Sequence, residues 1–219
     1  MGAMEKNEVR TRLEEIGIFP GIRVRTAEQA LYGAETLYQA GIPVAEITMT
    51  VPGAIEVIRT LARKFPDMIV GAGTVLDRET AERCLDAGAR FLTSTGLVAE
   101  VVEAALARGV VAIPGALTPT EVIAAWKLGV DFVKLFPVAP VGGDFYIRSL
   151  KLPLKDVKLI AAGGITQQNA ASFIAAGASA LGVGTELLPR EALQARQSHR
   201  IHELARRFLN FVKDGRTPV

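Results

Sequence analysis

A chain of 219 residues, 49% hydrophobic and 22% charged, has room for one large domain or two small ones and is too apolar for global disorder. Its formal net charge of +2 is too small to imply nucleic acid, and its single cysteine, Cys84, excludes an internal disulfide and fits a reducing, cytoplasmic setting. No apolar run nears the ~20 residues that a membrane helix needs. The opening MGAMEKNEVRTRLEEIG lacks the apolar centre of a secretion signal, and Met1 to Ala3 read as an expression-tag remnant ahead of Met4.

The elements follow in order. A helix is expected over about 4–16, a strand over 18–24 and a helix over 27–40. From there one pattern recurs: a helical stretch closes on a glycine, and a short apolar strand follows. It appears in YQAGIPVAEITM, LDAGARFLTS, LARGVVAIPG, WKLGVDFVKLF and IAAGASALGVG. Gly41, Gly88, Gly109, Gly129 and Gly177 each suit the left-handed residue that ends a helix. Strands apolar on both sides of the alternation belong to a covered, parallel sheet. Strands over 68–72 and 158–162 bring the total to eight. The intervening helices are expected over 53–65, 77–87, 97–107, 119–128, 167–176 and 189–213, with a shorter one near FYIRSLK. Eight such units predict a single (β/α)8 barrel domain over residues 1–219 with an extra N-terminal helix; a doubly wound sheet is the rival.

In a barrel the loops at the C-terminal ends of the strands carry the chemistry. The polar residues falling there are Arg23, Glu46, Thr48, Thr50, Thr74, Ser94, Thr95 and Lys134, with Gly163, Gly164, Gly184 and Thr185 at the last two ends. Glu46 in VAEITM and Lys134 in FVKLF are charges inside apolar runs, which are costly unless paired or used. One reading is a structural ion pair. The other is an amine nucleophile beside a carboxylate: burial disfavours the charged form of a lysine, a neutral amine can attack a ketone to form a Schiff base, and a carboxylate can shuttle the protons. Arg23 suits a substrate carboxylate, or else a salt bridge at the barrel mouth. The glycine-rich ends AAGGIT and LGVGTELL suit phosphate held by backbone N–H groups, or else close helix–strand packing.

Five motifs, EITMTVPGA, VGAGTVLD, IPGALTPTE, VKLFPV and GGI, occur in this order between residues 46 and 165, within a likeness that runs from about residue 14 to 188. Together they resemble the 2-keto-3-deoxy-6-phosphogluconate / 4-hydroxy-2-oxoglutarate (KDPG/KHG) aldolase family. The resemblance implies a cytoplasmic, homotrimeric (β/α)8 lyase of class I, without metal or other cofactor, that releases pyruvate and an aldehyde from a small keto acid. It gives Lys134 the Schiff base and Glu46 the acid/base role. Arg23 and Thr74 would hold the pyruvate moiety, and Gly163, Gly164, Gly184 and Thr185 the phosphate. Thr50 stands where many members have arginine. The chain departs from the family pattern at Ala161–Ala162, usually Pro-Thr, and at Thr95, usually proline. Both changes bear on the substrate. An isomerase or epimerase with an electrostatic lysine, and a non-catalytic trimeric barrel, are the alternatives.

His199 and His202 are three apart on the last helix, but no third ligand is evident and a solvated face is the simpler reading. Cys84 and Trp126 are expected in packing or subunit contacts.

Overall fold

The computed structural model describes residues 4–217, and the expected tag remnant at residues 1–3 lies outside them. Helix α1 (Lys6–Ile16) leads into strand β1 (Ile18–Ile22). Helices and strands then alternate: α2 (Ala27–Gln39), β2 (Val44–Thr48), α3 (Ala54–Lys64), β3 (Ile69–Gly73), α4 (Arg78–Asp86), β4 (Phe91–Thr93) and α5 (Ala99–Ala107). The second half runs β5 (Val111–Ile113), β6 (Gly115–Ala116), α6 (Pro119–Lys127), β7 (Val133–Leu135), α7 (Gly143–Lys151), β8 (Leu159–Ala162), α8 (Ala170–Ala175), β9 (Ala180–Val183), α9 (Arg190–Gln194) and α10 (Ser198–Arg216).

All strand pairs are parallel, in the order β5-β4-β3-β2-β1-β9-β8-β7-β6. The two ends of that order are consecutive in the chain, so the sheet closes. Nine segments therefore occupy eight barrel positions. The fifth position is split at Pro114, which has no N–H for the ladder; its carbonyl still accepts from the Lys134 N–H at 2.9 Å.

The expected barrel and its extra helix are present, and all five capping glycines have positive φ. Some boundaries differ. The expected strand 18–24 stops at Ile22, and the expected helix 167–176 begins at Ala170. The expected helix 189–213 is two helices, parted at 195–197, where Arg196 takes a left-handed φ of 48°. The sequence there, QARQ, carries none of the usual glycine or proline breakers.

The inside of the barrel is filled by aromatic rings. Phe19 meets Phe91 edge-on at 5.5 Å and Phe132 at 6.2 Å, all three fully buried. A Cβ on Gly71 would fall 2.4 Å from the Phe91 ring, so glycine is what lets this ring fit. Below the rings, α1 closes the N-terminal end of the strands. Lys6 reaches Asp131 just before β7, Arg12 donates to the Asp67 carbonyl before β3, and Lys158 before β8 pairs with Glu14. Helix α1 thus covers this end of the strands, and the loops at the other end frame the cavity that holds Lys134 and Glu46.

Candidate active site

Lys134 is the middle residue of β7, between Val133 and Leu135, both fully buried. Side chains alternate along a strand. With its two neighbours packed against the outer helices, Lys134 is directed inward. Glu46 holds the equivalent place in β2, between Ala45 and Ile47. The two strands occupy barrel positions two and six, facing each other across the interior. Only long side chains can span that gap, and these do: Lys134 Nζ lies 3.3 Å from Glu46 Oε1.

Glu46 is 4% exposed and is held from several sides. Thr93 Oγ1 donates to the same Oε1 at 2.6 Å. A Cβ on Gly73 would lie 2.2 Å from Oε1, so the absence of a side chain at 73 is what makes room for the carboxylate. The Lys134 ammonium also sits 5.8 Å from the centre of the Phe136 ring.

These groups lie in a cavity of about 380 Å³ at the C-terminal mouth. Of the expected site residues, Arg23, Glu46, Lys134, Gly163, Gly164, Gly184 and Thr185 line it. Thr50, Thr74 and Thr95 stand outside that lining. Thr50 shares a 2.7 Å hydrogen bond with Thr48, whose hydroxyl also reaches the Ile22 carbonyl at 3.1 Å. Thr74 contacts the cavity through Arg23, whose Nη2 donates to Oγ1 at 3.5 Å. Thr74 holds a φ of 59°, costly for a β-branched residue, and such strain clusters at functional sites. Thr95 contributes backbone: its carbonyl group presses on Gly115, where a Cβ would come within 2.3 Å. Gly163 and Gly164 have φ of 83° and 84°, and their N–H groups donate to no acceptor among the described residues.

Sequence reasoning missed four contributors. Thr93 and Gly73 act through Glu46, and Thr166 and Glu186 line the cavity. The position of Glu186, one residue beyond Thr185 in the loop after β9, was the available signal for it.

Lys151 departs from the expectation for a water-exposed lysine. Its ammonium donates to the carbonyls of Lys155 at 2.6 Å and Val157 at 2.8 Å, and burial lowers its pKa. It is tied down outside the barrel mouth. Cys84 is fully buried, 3.5 Å from Met49 Sδ, and burial pushes its thiol up to about 12, which suits packing and not nucleophilic work. His202 has its Nε2 buried without a partner, and no cluster of three His, Cys, Asp or Glu suited to a metal occurs among the described residues. No helix among them is long and apolar enough to cross a membrane.

The chain resembles known proteins over most of its length. It is 33% identical over 189 residues to the KHG/KDPG aldolase of Escherichia coli K12, covering 86% of this chain and 89% of that one. A KDPG aldolase structure from Legionella pneumophila, with pyruvate captured as a covalent carbinolamine intermediate, superposes with a TM-score of 0.83 at 30% identity, over 90% of this chain and 96% of the other. The Zymomonas mobilis 2-keto-3-deoxy-6-phosphogluconate aldolase with 3-phosphoglycerate gives 0.84 at 26% identity, covering 94% and 97%. A 3-hexulose-6-phosphate synthase at 21% identity and a TM-score of 0.68 shares the fold alone. The family model "KDPG and KHG aldolase" matches residues 9–204, and the chain belongs to that family.

Proposed function

We propose that this chain is a class I aldolase that cleaves a 2-keto-3-deoxy sugar acid to pyruvate and an aldehyde. The substrates this reading favours are 2-dehydro-3-deoxy-6-phosphogluconate, giving glyceraldehyde 3-phosphate, and 4-hydroxy-2-oxoglutarate, giving glyoxylate. The observation that carries it is the approach of Lys134 Nζ to Glu46 Oε1, 3.3 Å, at the floor of the open mouth. The carbinolamine captured in the Legionella relative is the intermediate this arrangement would form.

The steps follow from the two groups. The free amine of Lys134 adds to the C2 ketone, and loss of water from the carbinolamine gives an iminium. Glu46, as carboxylate, takes the proton of the C4 hydroxyl while the C3–C4 bond breaks. The electron pair of that bond passes into the iminium, giving an enamine, and the aldehyde leaves. Protonated Glu46 returns its proton to C3, and water hydrolyses the pyruvate iminium to free the lysine. Thr93 keeps the carboxylate aimed throughout, and Arg23 grips the pyruvate carboxylate with Thr74 behind it. Gly163, Gly164, Gly184 and Thr185 border the far part of the substrate. A cytoplasmic homotrimer belongs to the same reading.

Borohydride reduction in the presence of pyruvate, with peptide mass mapping, tests it. One adduct, on the Lys134 peptide, is the expected result. An adduct spread over other lysines, or none, rejects class I chemistry and moves the isomerase reading ahead.

A further inference from the structure

Glycines stand at five positions on the barrel strands, and at four of them the neighbours demand one. A Cβ would come within 2.4 Å of the Phe91 ring at Gly71, 2.2 Å of the Glu46 carboxylate at Gly73, 2.3 Å of the Thr95 backbone at Gly115 and 2.8 Å of the Ala162 methyl at Gly182. Gly21 on β1 is different. Its φ is not positive, and a Cβ there would meet nothing nearer than Glu46 Oε2 and the Val183 carbonyl, each at 4.0 Å, an ordinary van der Waals contact. Neither backbone conformation nor packing requires glycine at 21. What the missing side chain does is leave room for a carbon atom in the catalytic cavity, which Gly21 lines.

The place of that room is specific. Gly21 is in register with Glu46 on the neighbouring strand. Alternation along β1 turns Phe19, Gly21 and then Arg23 to the interior, Phe19 in the ring layer and the other two on the cavity. The room therefore lies between Glu46 and Arg23, the group assigned to the pyruvate carboxylate. Glu46 Oε1 accepts from Thr93 at 2.6 Å and faces Lys134 Nζ at 3.3 Å. Oε2 accepts no hydrogen bond among the described residues, so it is the oxygen left to exchange protons with C3. C3 is bonded to the C2 that Lys134 holds. A carbon touching Oε2 on the Arg23 side is thus a substituent of C3, in the donor half of the substrate and not in its tail.

We infer that Gly21 provides a seat for one carbon on C3, so that 2-oxobutanoate serves as donor at this site as well as pyruvate. This inference rests on the aldolase reading and adds a second class of donor to it. The Lys134 amine adds to C2 and water leaves, giving the iminium. Glu46 Oε2 takes one C3 proton, and the electron pair of that C–H bond passes into the iminium to give an enamine whose methyl group is turned toward Gly21. C3 of the enamine adds to the carbon of an aldehyde, and the aldehyde oxygen takes the proton from Glu46. Water then releases a 3-methyl-4-hydroxy-2-oxo acid and the free amine.

The test gives the wild type and Gly21→Ala pyruvate or 2-oxobutanoate in D2O. Borohydride trapping reads the imine on Lys134, and NMR reads deuterium entering at C3. The wild type should form both adducts and exchange 2-oxobutanoate at no less than about a tenth of its pyruvate rate. With the methyl group seated toward Gly21, one C3 proton alone faces Oε2, so 2-oxobutanoate should gain a single deuterium. In Gly21→Ala the added methyl group takes the seat. Exchange of 2-oxobutanoate should then fall about 10-fold or more relative to pyruvate, the discrimination expected of one methylene in a fitted pocket. A wild type that exchanges pyruvate but not 2-oxobutanoate overturns the inference. So does exchange of both C3 protons at similar rates, or a folded Gly21→Ala protein that slows the two donors alike or neither. The deuterium count is read on the wild type alone and decides the matter if the variant does not fold. Absence of the pyruvate adduct from the wild type defeats the aldolase reading itself, which keeps the two failures apart.

Discussion

Two lysine–carboxylate pairs stand at opposite ends of this barrel. At the mouth, Lys134 lies 3.3 Å from Glu46; at the floor, Lys6 lies 3.0 Å from Asp131. Both carboxylates are buried. The floor pair is the shorter, and Asp131 also accepts from the Ala112 N–H at 3.1 Å. Distance would rank the floor pair first, and burial the mouth pair. What separates them is what lies next to them. Lys6 also borders a recess of about 380 Å³, but Asp131 is not among its lining residues, whereas Glu46 and Lys134 both line the cavity at the mouth. A buried ion pair is a structural clamp where nothing can reach it and a reactive pair where a substrate can enter.

The sharpest way to break the comparison is to remove one amine from each pair. Lys134→Arg keeps the positive charge but cannot form an imine, so kcat should fall on the order of 10⁴-fold or more, read as pyruvate release. Lys6→Met should leave kcat within a factor of about two, since it touches no substrate. If Lys134→Arg retains substantial turnover, the mouth pair is as structural as the floor pair.

A smaller loss is expected from the acid. Glu46→Gln should lower turnover by roughly 10²–10⁴-fold, while pyruvate still binds. Gly73→Ala sharpens the same point without touching either reacting group. Its methyl would lie 2.2 Å from Glu46 Oε1 and force the carboxylate aside. A displacement near 1 Å costs about 10²-fold in rate, so a Gly73→Ala enzyme with full kcat would count against the placement of Glu46.

The smallest effect belongs to the floor and should appear only in stability. Asp131→Asn removes the charge that faces Lys6 and Ala112, at a cost of about 1–2 kcal/mol, since Lys6 is partly solvated. Denaturant titration would show it, with kinetics unchanged. Loss of activity in a folded Asp131→Asn protein would contradict the division between the two ends.

Both lysines were in plain view in the sequence, but only one was conspicuous there. Lys134 interrupts an apolar strand, and a charge in such a run stands out. Lys6 sits in a charged helix where nothing marks its partner. The barrel itself was legible because each strand is apolar on both faces and each preceding helix closes on glycine, signals local to a few residues. What stayed hidden depends on closure. Thr93 looks like any strand-end residue until β4 is brought round to β2, and Gly73 gains its meaning only from the Glu46 carboxylate above it. Thr50, Thr74 and Thr95 show the converse: a strand end predicts nearness to the mouth, while the turn of the loop decides whether the side chain lines the cavity. A pocket beside the mouth joins residues 23–25 to 185–194, a pairing invisible along the chain.

The floor has one further consequence, for how the fold comes apart. Helix α1 ends at Gly17, and Arg216, the last residue of α10, donates to the carbonyls of Glu14 and Glu15, the latter at 2.6 Å. A Cβ on Gly17 would collide with Val212 at 2.7 Å, so the first and last helices are also in steric contact. The two ends of the described chain are thus fastened to each other as well as to the barrel. Fraying, which in most proteins begins independently at each terminus, is here a joint event: neither helix can peel away without releasing the other's polar partners. Amide protection in α1 and in the final turns of α10 should therefore rise and fall together, as one cooperative unit that guards the covered end of the barrel.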